Sequence, residues 1–209
     1  MTYSAALIGC GRIGAGTGGE VASHASGYHR DGRIQLVAAA DLDAGARQRV
    51  SSLWGVERLY DGYEKMFVRE KIDFVSICTW DQTHAAAVRA AVAAGVRVIF
   101  CEKPLAPTAV VAAELTELCD AAGVGLLVGY QRCWDPAHRA ARDYIAAGKL
   151  GKIQAVNGYY VGGLRHNGCA WINLARYLVG EIGAATPMAP VAGAEATVSV
   201  RLEFQCGAT

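Results

Sequence analysis

Mostly apolar residues gather in short runs, at 3–8, 34–40, 74–79, 96–101 and 124–130, the first closed off by Gly9 and the second by Asp41. A run of this length without apolar/polar alternation predicts a strand covered on both faces. The stretches between the runs repeat at helical spacing, over 44–53, 61–70, 83–94 and 108–122. In the last of these Val111, Leu115, Leu118, Cys119 and Ala122 form one stripe, and Gly123 ends it. Strand and helix in regular alternation predict a parallel sheet with crossover helices.

Beyond this point the pattern changes. Asp135-Pro136 is a cap and first-turn pair for a helix reaching residue 147, with Gly148 as its stop. A strand is expected at 153–161 and a helix at 166–179. The Ala-, Gly- and Pro-rich stretch 180–196 reads as a loop. In 197–205 apolar Val198, Val200, Leu202 and Phe204 alternate with polar Thr197, Ser199, Arg201 and Glu203, as in a strand with one covered face. The fold class is therefore α/β: a parallel-sheet domain over residues 1–124 followed by a shortened α+β domain over 125–209, and a Gly-rich turn, Gly9–Gly14, directly after the first strand makes the first a Rossmann dinucleotide-binding domain.

Two motifs carry chemistry. Gly9-Cys10-Gly11-Arg12-Ile13-Gly14 comes directly after the first strand. Gly9 permits a tight turn, Gly11 a close approach of a pyrophosphate to the backbone, and Gly14 close packing of the next segment, with free N–H groups aimed at the phosphates. Asp41 ends the second strand, where a carboxylate accepts the ribose hydroxyls of NAD and repels the 2′-phosphate of NADP. The distance from Gly14 to Asp41 is 41 − 14 = 27 residues, against the usual ~20, and Gly-rich 15–21 is the natural place for the surplus. The second motif, Glu102-Lys103-Pro104, comes after the fourth run. A Lys ammonium beside a cofactor can exchange the proton that accompanies hydride transfer, and Pro104 restricts the Lys backbone to extended conformations.

Composition narrows the field. Twenty basic residues against nineteen acidic give a net charge of +1, so no electrostatic footprint for nucleic acid or an anionic membrane is present. Mean hydropathy is +0.20, yet no apolar run reaches the ~20 residues of a membrane helix. Seven cysteines without a C-x-x-C pair read as buried small hydrophobes in a reducing, cytoplasmic setting, not as disulfides or a metal site. The first strand begins almost at Met1, so no signal peptide is expected.

On Gly9–Gly14, Asp41, the segment Cys78-Thr79-Trp80-Asp81-Gln82-Thr83-His84, Glu102-Lys103-Pro104, Gly129-Tyr130-Gln131-Arg132 and the stretch 163–180, the chain resembles the Gfo/Idh/MocA family of glucose-fructose oxidoreductase and inositol dehydrogenase relatives. The resemblance implies NAD or NADP as cofactor, of which Asp41 favours NAD, held by Gly9, Gly11, Arg12, Ile13, Gly14, Asp41, Thr79, Trp80, His84 and Glu102. It also implies a small sugar, cyclitol or related polyol as substrate, met by Lys103, Gln131, Arg132, His166 and Asn173, with Lys103 as the acid/base. Three family positions on one helix, ordinarily Asp, His and Asp, fall here on His166, Ala170 and Asn173, and a methyl group cannot move a proton. His166 is then the one titratable group on that face and a second catalytic candidate. Trp80 stands where Pro is common and is expected to cover the nicotinamide edge, while Cys133 stands where Arg is frequent.

The activity expected is NAD-dependent oxidation of a polyol. The alternatives are a degenerate NAD- or sugar-binding subunit, and a net non-redox enzyme with tightly held NAD. Family members are longer, and too few strands are expected here to cover the apolar face of 197–205. Homo-oligomerisation through the C-terminal strands is therefore expected.

Overall fold

A computed structural model of the chain describes residues 2–18, 22–190, 193 and 196–209. Two compact units, Met1–Gly129 and Tyr130–Thr209, make up the chain.

In the first unit the elements run β1 Tyr3–Ile8, α1 His24–Arg30, β2 Ile34–Ala40, α2 Ala44–Trp54, β3 Arg58–Tyr60, α3 Tyr63–Arg69, β4 Phe74–Ile77, α4 Asp81–Ala93, β5 Val98–Cys101, α5 Ala109–Ala122 and β6 Gly125–Val128. All six strands are parallel, in the order β3-β2-β1-β4-β5-β6. Along β1 the side chains from Ala5 to Ile8 are all buried, as a central parallel strand requires. Successive residues serve opposite faces. Ala6 and Ile8 pack with Val75, Ile77, Ile99, Val88 and Leu115, whereas Leu7 packs with Ala39, Val50 and Val56. The small residues Ala38, Ala39 and Ala40 continue this packing in β2.

Helix ends match their caps. Asp43 accepts from the Gly45 N–H at 2.7 Å, and Thr108 caps α5 through the Val111 N–H. Gly55 and Gly123 close α2 and α5 in the left-handed region. Two elements escaped the hydrophobic pattern. The short edge strand β3 has three residues, and α1 carries Gly27, His29 and Arg30 in a seven-residue span. Because β6 pairs with β5, the first unit extends through Gly129 rather than ending at 124.

An interruption separates the Gly-rich turn from α1. The Ala15 and Gly16 N–H groups bond to the Gly11 and Arg12 carbonyls, a helical turn. The next helical bonds run from His24 and Ala25 back to Ile13 and Gly14. In a continuous helix the step is four residues; here it is 24 − 13 = 11, a surplus of seven residues. Subtracting them from the 27 between Gly14 and Asp41 leaves 20, the usual spacing. The surplus therefore falls between Gly16 and His24, overlapping the Gly-rich stretch 15–21 only in part, and Gly19, Glu20 and Val21 lie outside the described residues.

The second unit holds a 3-10 turn at Gln131–Cys133, α6 Pro136–Ala146, a π-helical turn at Leu164–Gly168 leading into α7 Cys169–Val179, and an antiparallel pair, β7 Ile182–Pro187 with β8 Val200–Phe204. Three expectations are corrected. Residues 153–161 form no strand: the segment is held by Val156–Thr209 and Thr209–Gln154 backbone bonds and by the Tyr160 hydroxyl, which donates to Val198 O at 2.7 Å. The expected loop 180–196 contains β7, with Val191, Ala192, Ala194 and Glu195 outside the described residues. Most important, the apolar face of β8 is not left open. Leu202 and Phe204 are buried against Ala175 and Ala208, with Trp171, Ile172, Val179 and Ile153 around them. The helix α7 covers that face, which removes the reason given for association through it. All seven cysteines are free thiols, and Cys206 is the exposed one.

Candidate cofactor site and active site

From β1 the chain passes to β2 and β3 on one side, and from β4 to β5 and β6 on the other. The carboxyl ends of β1 and β4 therefore flank the point where the strand order reverses, the crevice in which open α/β sheets bind ligands. At that point Gly9 has φ +89°, and a Cβ there would lie 2.6 Å from the Cys78 carbonyl carbon and 2.8 Å from the Thr79 nitrogen. A Cβ on Gly14 would overlap the Gly9 carbonyl oxygen. No side chain larger than hydrogen fits at either position. Around Gly11 the same test finds nothing within 4 Å. The turn is thus closed toward the protein and open on the Gly11 side, a cradle suited to a pyrophosphate.

Asp41 stands beside this cradle. Its Oδ2 accepts from the Cys10 N–H at 2.6 Å and its Oδ1 from the Asp43 N–H at 2.9 Å. Each oxygen keeps a lone pair for a ribose hydroxyl. Arg47 is nearer than its sequence position suggests, since its Nη1 donates to the carbonyls of Asp41, at 2.6 Å, and Leu42, at 3.1 Å. Burial, with the Asp41 charge adding to it, pushes the Cys10 thiol up to about 12, and burial also raises that of Cys78. Both thiols stay protonated at neutral pH and are inert as nucleophiles.

Thr79 and Trp80 form the lip after β4. Trp80 precedes α4 in extended backbone and is 79 % exposed, while Thr79 Oγ1 accepts from the Thr83 hydroxyl at 2.7 Å. His84, expected to touch the cofactor, does not face solvent. It is buried, with Nδ1 2.8 Å from Pro104 O and Nε2 3.0 Å from Thr79 O. It ties the Thr79 loop to the turn beyond β5.

That turn carries Glu102, Lys103 and Pro104, with a cis Lys103–Pro104 peptide. Lys103 is half-buried. Glu102, also expected at the cofactor, is instead turned inward. Its Oε1 lies 3.1 Å from His24 Nε2, and its carboxylate sits so close to Gly129 that a Cβ there would meet it at 2.6 Å. His24 Nδ1 lies 2.7 Å from Ser76 Oγ, which lies 2.7 Å from the Tyr28 hydroxyl. The hydrophobic pattern passed over these three residues because none belongs to a recognised motif. The one signal for His24 was its place after the Gly-rich turn once seven residues are taken out.

In the second unit Gln131 and Arg132 are exposed on the 3-10 turn. Asn173, on α7, accepts from the Cys133 thiol at 3.1 Å. His166 is exposed within the π-helical turn, so the α-helical spacing that placed 166, 170 and 173 on one face does not hold across that turn. Cys169 and Asn173, four apart on α7, share a face instead. Among the described residues no group of three or more His, Cys, Asp or Glu side chains is arranged to hold a metal ion. No described helix is long and apolar enough to cross a membrane.

A six-stranded doubly wound sheet, with a Gly-rich turn and a strand-end carboxylate at its switch point, is the architecture of a dinucleotide-binding Rossmann domain. Comparison with known proteins agrees: the model of the oxidoreductase family with NAD-binding Rossmann fold, Gfo/Idh/MocA, matches residues 3–130. The chain belongs to this family. It is 32% identical over 149 residues to D-apiose dehydrogenase of Paraburkholderia graminis, covering 71% of this chain and 38% of that protein. With inositol 2-dehydrogenase of Paracoccus denitrificans it shares 33% over 147 residues, covering 70% and 42%. The WlbA dehydrogenase of Bordetella pertussis, solved in complex with NADH and UDP-GlcNAcA, superposes with a TM-score of 0.80 at 21% identity, over 100% of this chain and 69% of that one. The chain thus spans about two fifths of the length of these two curated relatives.

Proposed function

We propose that the protein is an NAD-dependent oxidoreductase acting on a hydroxyl of a sugar, cyclitol or related polyol. The observation that carries this reading is the seating of Lys103 at the carboxyl end of β5, two strands from the Gly9–Gly14 cradle on the same sheet. Gly9, Gly11, Arg12, Ile13 and Gly14 would hold the pyrophosphate by backbone N–H groups, and Asp41 the ribose. Thr79 and Trp80 would border the nicotinamide, which when bound accepts a hydride from the substrate carbon. Lys103 takes the proton from the hydroxyl that is oxidised, and returns it in the reverse direction. Gln131, Arg132, His166 and Asn173 are the substrate contacts proposed on the second unit. The relatives' names, D-apiose dehydrogenase and inositol 2-dehydrogenase, support the substrate class.

One observation favours a second reading, an NAD-binding subunit without turnover: Ala170 occupies the position of the family's proton-transferring His. Turnover separates the two. NADH formation is monitored with purified protein, NAD and a panel of aldoses, inositols and nucleotide-linked sugar acids. Lys103→Ala should then lower kcat by ~10²- to 10⁴-fold with NAD affinity nearly unchanged. An unaltered kcat would move the proton chemistry off Lys103. Absence of turnover with every substrate, alongside NAD binding by calorimetry, would favour the subunit, and recovery of activity in Ala170→His would then identify the missing group.

A further inference from the structure

Four side chains form a continuous hydrogen-bonded line inside the first unit: Tyr28, Ser76, His24 and Glu102. Donor inventories give its direction for an ionised Glu102 and a neutral His24 ring. An ionised Glu102 only accepts, so His24 Nε2 carries the proton that bonds to it. In the neutral ring Nδ1 is then an acceptor and receives the Ser76 hydroxyl proton, which leaves the Ser76 oxygen to accept from Tyr28. Every member is satisfied without a stray proton. Ser76 is wholly buried within β4, so the Ser-His-Glu order is not a nucleophilic triad, which needs a hydroxyl open to substrate.

Two neighbouring members of this line, His24 and Glu102, reach the two motifs of the site. The His24 backbone N–H donates to Ile13 O at 3.0 Å, so His24 is anchored to the Gly-rich turn. Its ring packs against Phe100 of β5 at 4.4 Å between centroids. Glu102, held by His24 through Oε1, accepts a long 3.3 Å bond from the Lys103 N–H through Oε2. Gly129 packs against the same carboxylate, where a Cβ would lie 2.6 Å from Oε1, so the carboxylate has little room to turn. We propose that His24 is a positioning residue that holds Glu102, and through it the backbone of Lys103, in fixed register with the cofactor cradle. The proposal rests on the reading of Lys103 as the acid/base beside NAD.

The two ring nitrogens separate cleanly by substitution. In Gln the amide nitrogen reaches the place of Nε2 and keeps the donor to Glu102, whereas in Asn the amide reaches only toward Ser76. His24→Gln and His24→Asn are therefore compared for kcat, for NAD affinity, and for acetylation of Lys103 by acetic anhydride with and without saturating NAD, read by mass spectrometry. Expected is a kcat loss of about 10²-fold in His24→Asn, the scale of a displacement near 1 Å, with NAD affinity retained and NAD protection of Lys103 weakened. His24→Gln should restore kcat to within about tenfold of the native protein and restore the protection. Equal behaviour of the two variants in kcat and in protection would overturn the proposal. If His24→Asn fails to fold, Glu102→Ala, which removes both bonds of the carboxylate, receives the same measurements, and native-like kcat and protection there would equally overturn it. If the native protein shows no turnover, the oxidoreductase reading fails while the protection pattern still decides the role of His24.

Discussion

At Asp41 one carboxylate serves two structures. It receives the Cys10 and Asp43 N–H groups and so sets the shape of the turn, and in the function proposed above its remaining lone pairs take the ribose hydroxyls. We expect NAD to bind in preference to NADP, although Arg47 folds back to the same corner, because its Nη1 is committed to two carbonyls. Asp41→Ala should weaken NAD by ~10- to 100-fold, the worth of charged hydrogen bonds, and narrow the gap to NADP. Calorimetry with both cofactors measures this, and tighter NADP binding to the native protein would contradict it. Tyr28 provides a second handle. Burial pushes its phenol from an ordinary 10 up to about 12. The folded state therefore favours the protonated phenol; the stabilisation is complete below pH 10 and is lost as pH rises toward 12. The full contribution is roughly 3 kcal/mol. Urea midpoints at about pH 8 and about pH 11 should fall less in Tyr28→Phe than in the native chain.

Among elements, the central strands β1, β2, β4 and β5 were legible because a parallel sheet covered on both faces needs mostly apolar runs, and the edge strand β6 was legible by the same run although Gly125 and Leu127 are exposed. The edge strand β3 and the helix α1 were not legible. Their residues are half polar, and pairing with β2 or the cap at Ser23 stabilises them, which no local pattern reports. The site divides in the same way. Glycines and strand-end charges announce themselves by position, but the inward turn of Glu102 and the burial of His84 depend on contacts made by residues far apart in sequence. The surplus between Gly16 and His24 belongs to this scale and is testable. Deleting residues 16–22 makes the His24-to-Ile13 bond an ordinary i to i−4 step. The deletion should leave a cooperative melt and raise stability by about 1–2 kcal/mol, from the shorter loop. Loss of the cooperative transition would show that the segment is required for the fold.

For the molecule as a whole, the terminal strand was read as an exposed apolar face because its partners were sought among strands. The structure supplies a helix instead, and Ala175, Trp171 and Ile172 of α7 cover Leu202 and Phe204. Phe204→Ala should then destabilise the second unit by about 3–5 kcal/mol through a lost intramolecular contact. Denaturation monitored at two protein concentrations tests this. A midpoint independent of concentration is expected, whereas one that rises with concentration would return the face to an interface between copies. Five of the six residues of β7 are exposed, so any association of copies has the strand edge available rather than the covered face.

The surplus between Gly16 and His24 has one more consequence, for how freely this protein can change its length. Its two ends are held together by the bonds from His24 and Ala25 to Ile13 and Gly14, so the helix resumes at the next rung whatever lies between. An insertion wound into the helix would rotate everything after it by about 100° per residue and carry Ala25 and Ser26 off the sheet. One looped out at this joint rotates nothing. The joint is therefore indifferent to length, a place beside the cofactor cradle where segments of other sizes and compositions can be exchanged while the Gly-rich turn, His24 and the sheet keep their alignment.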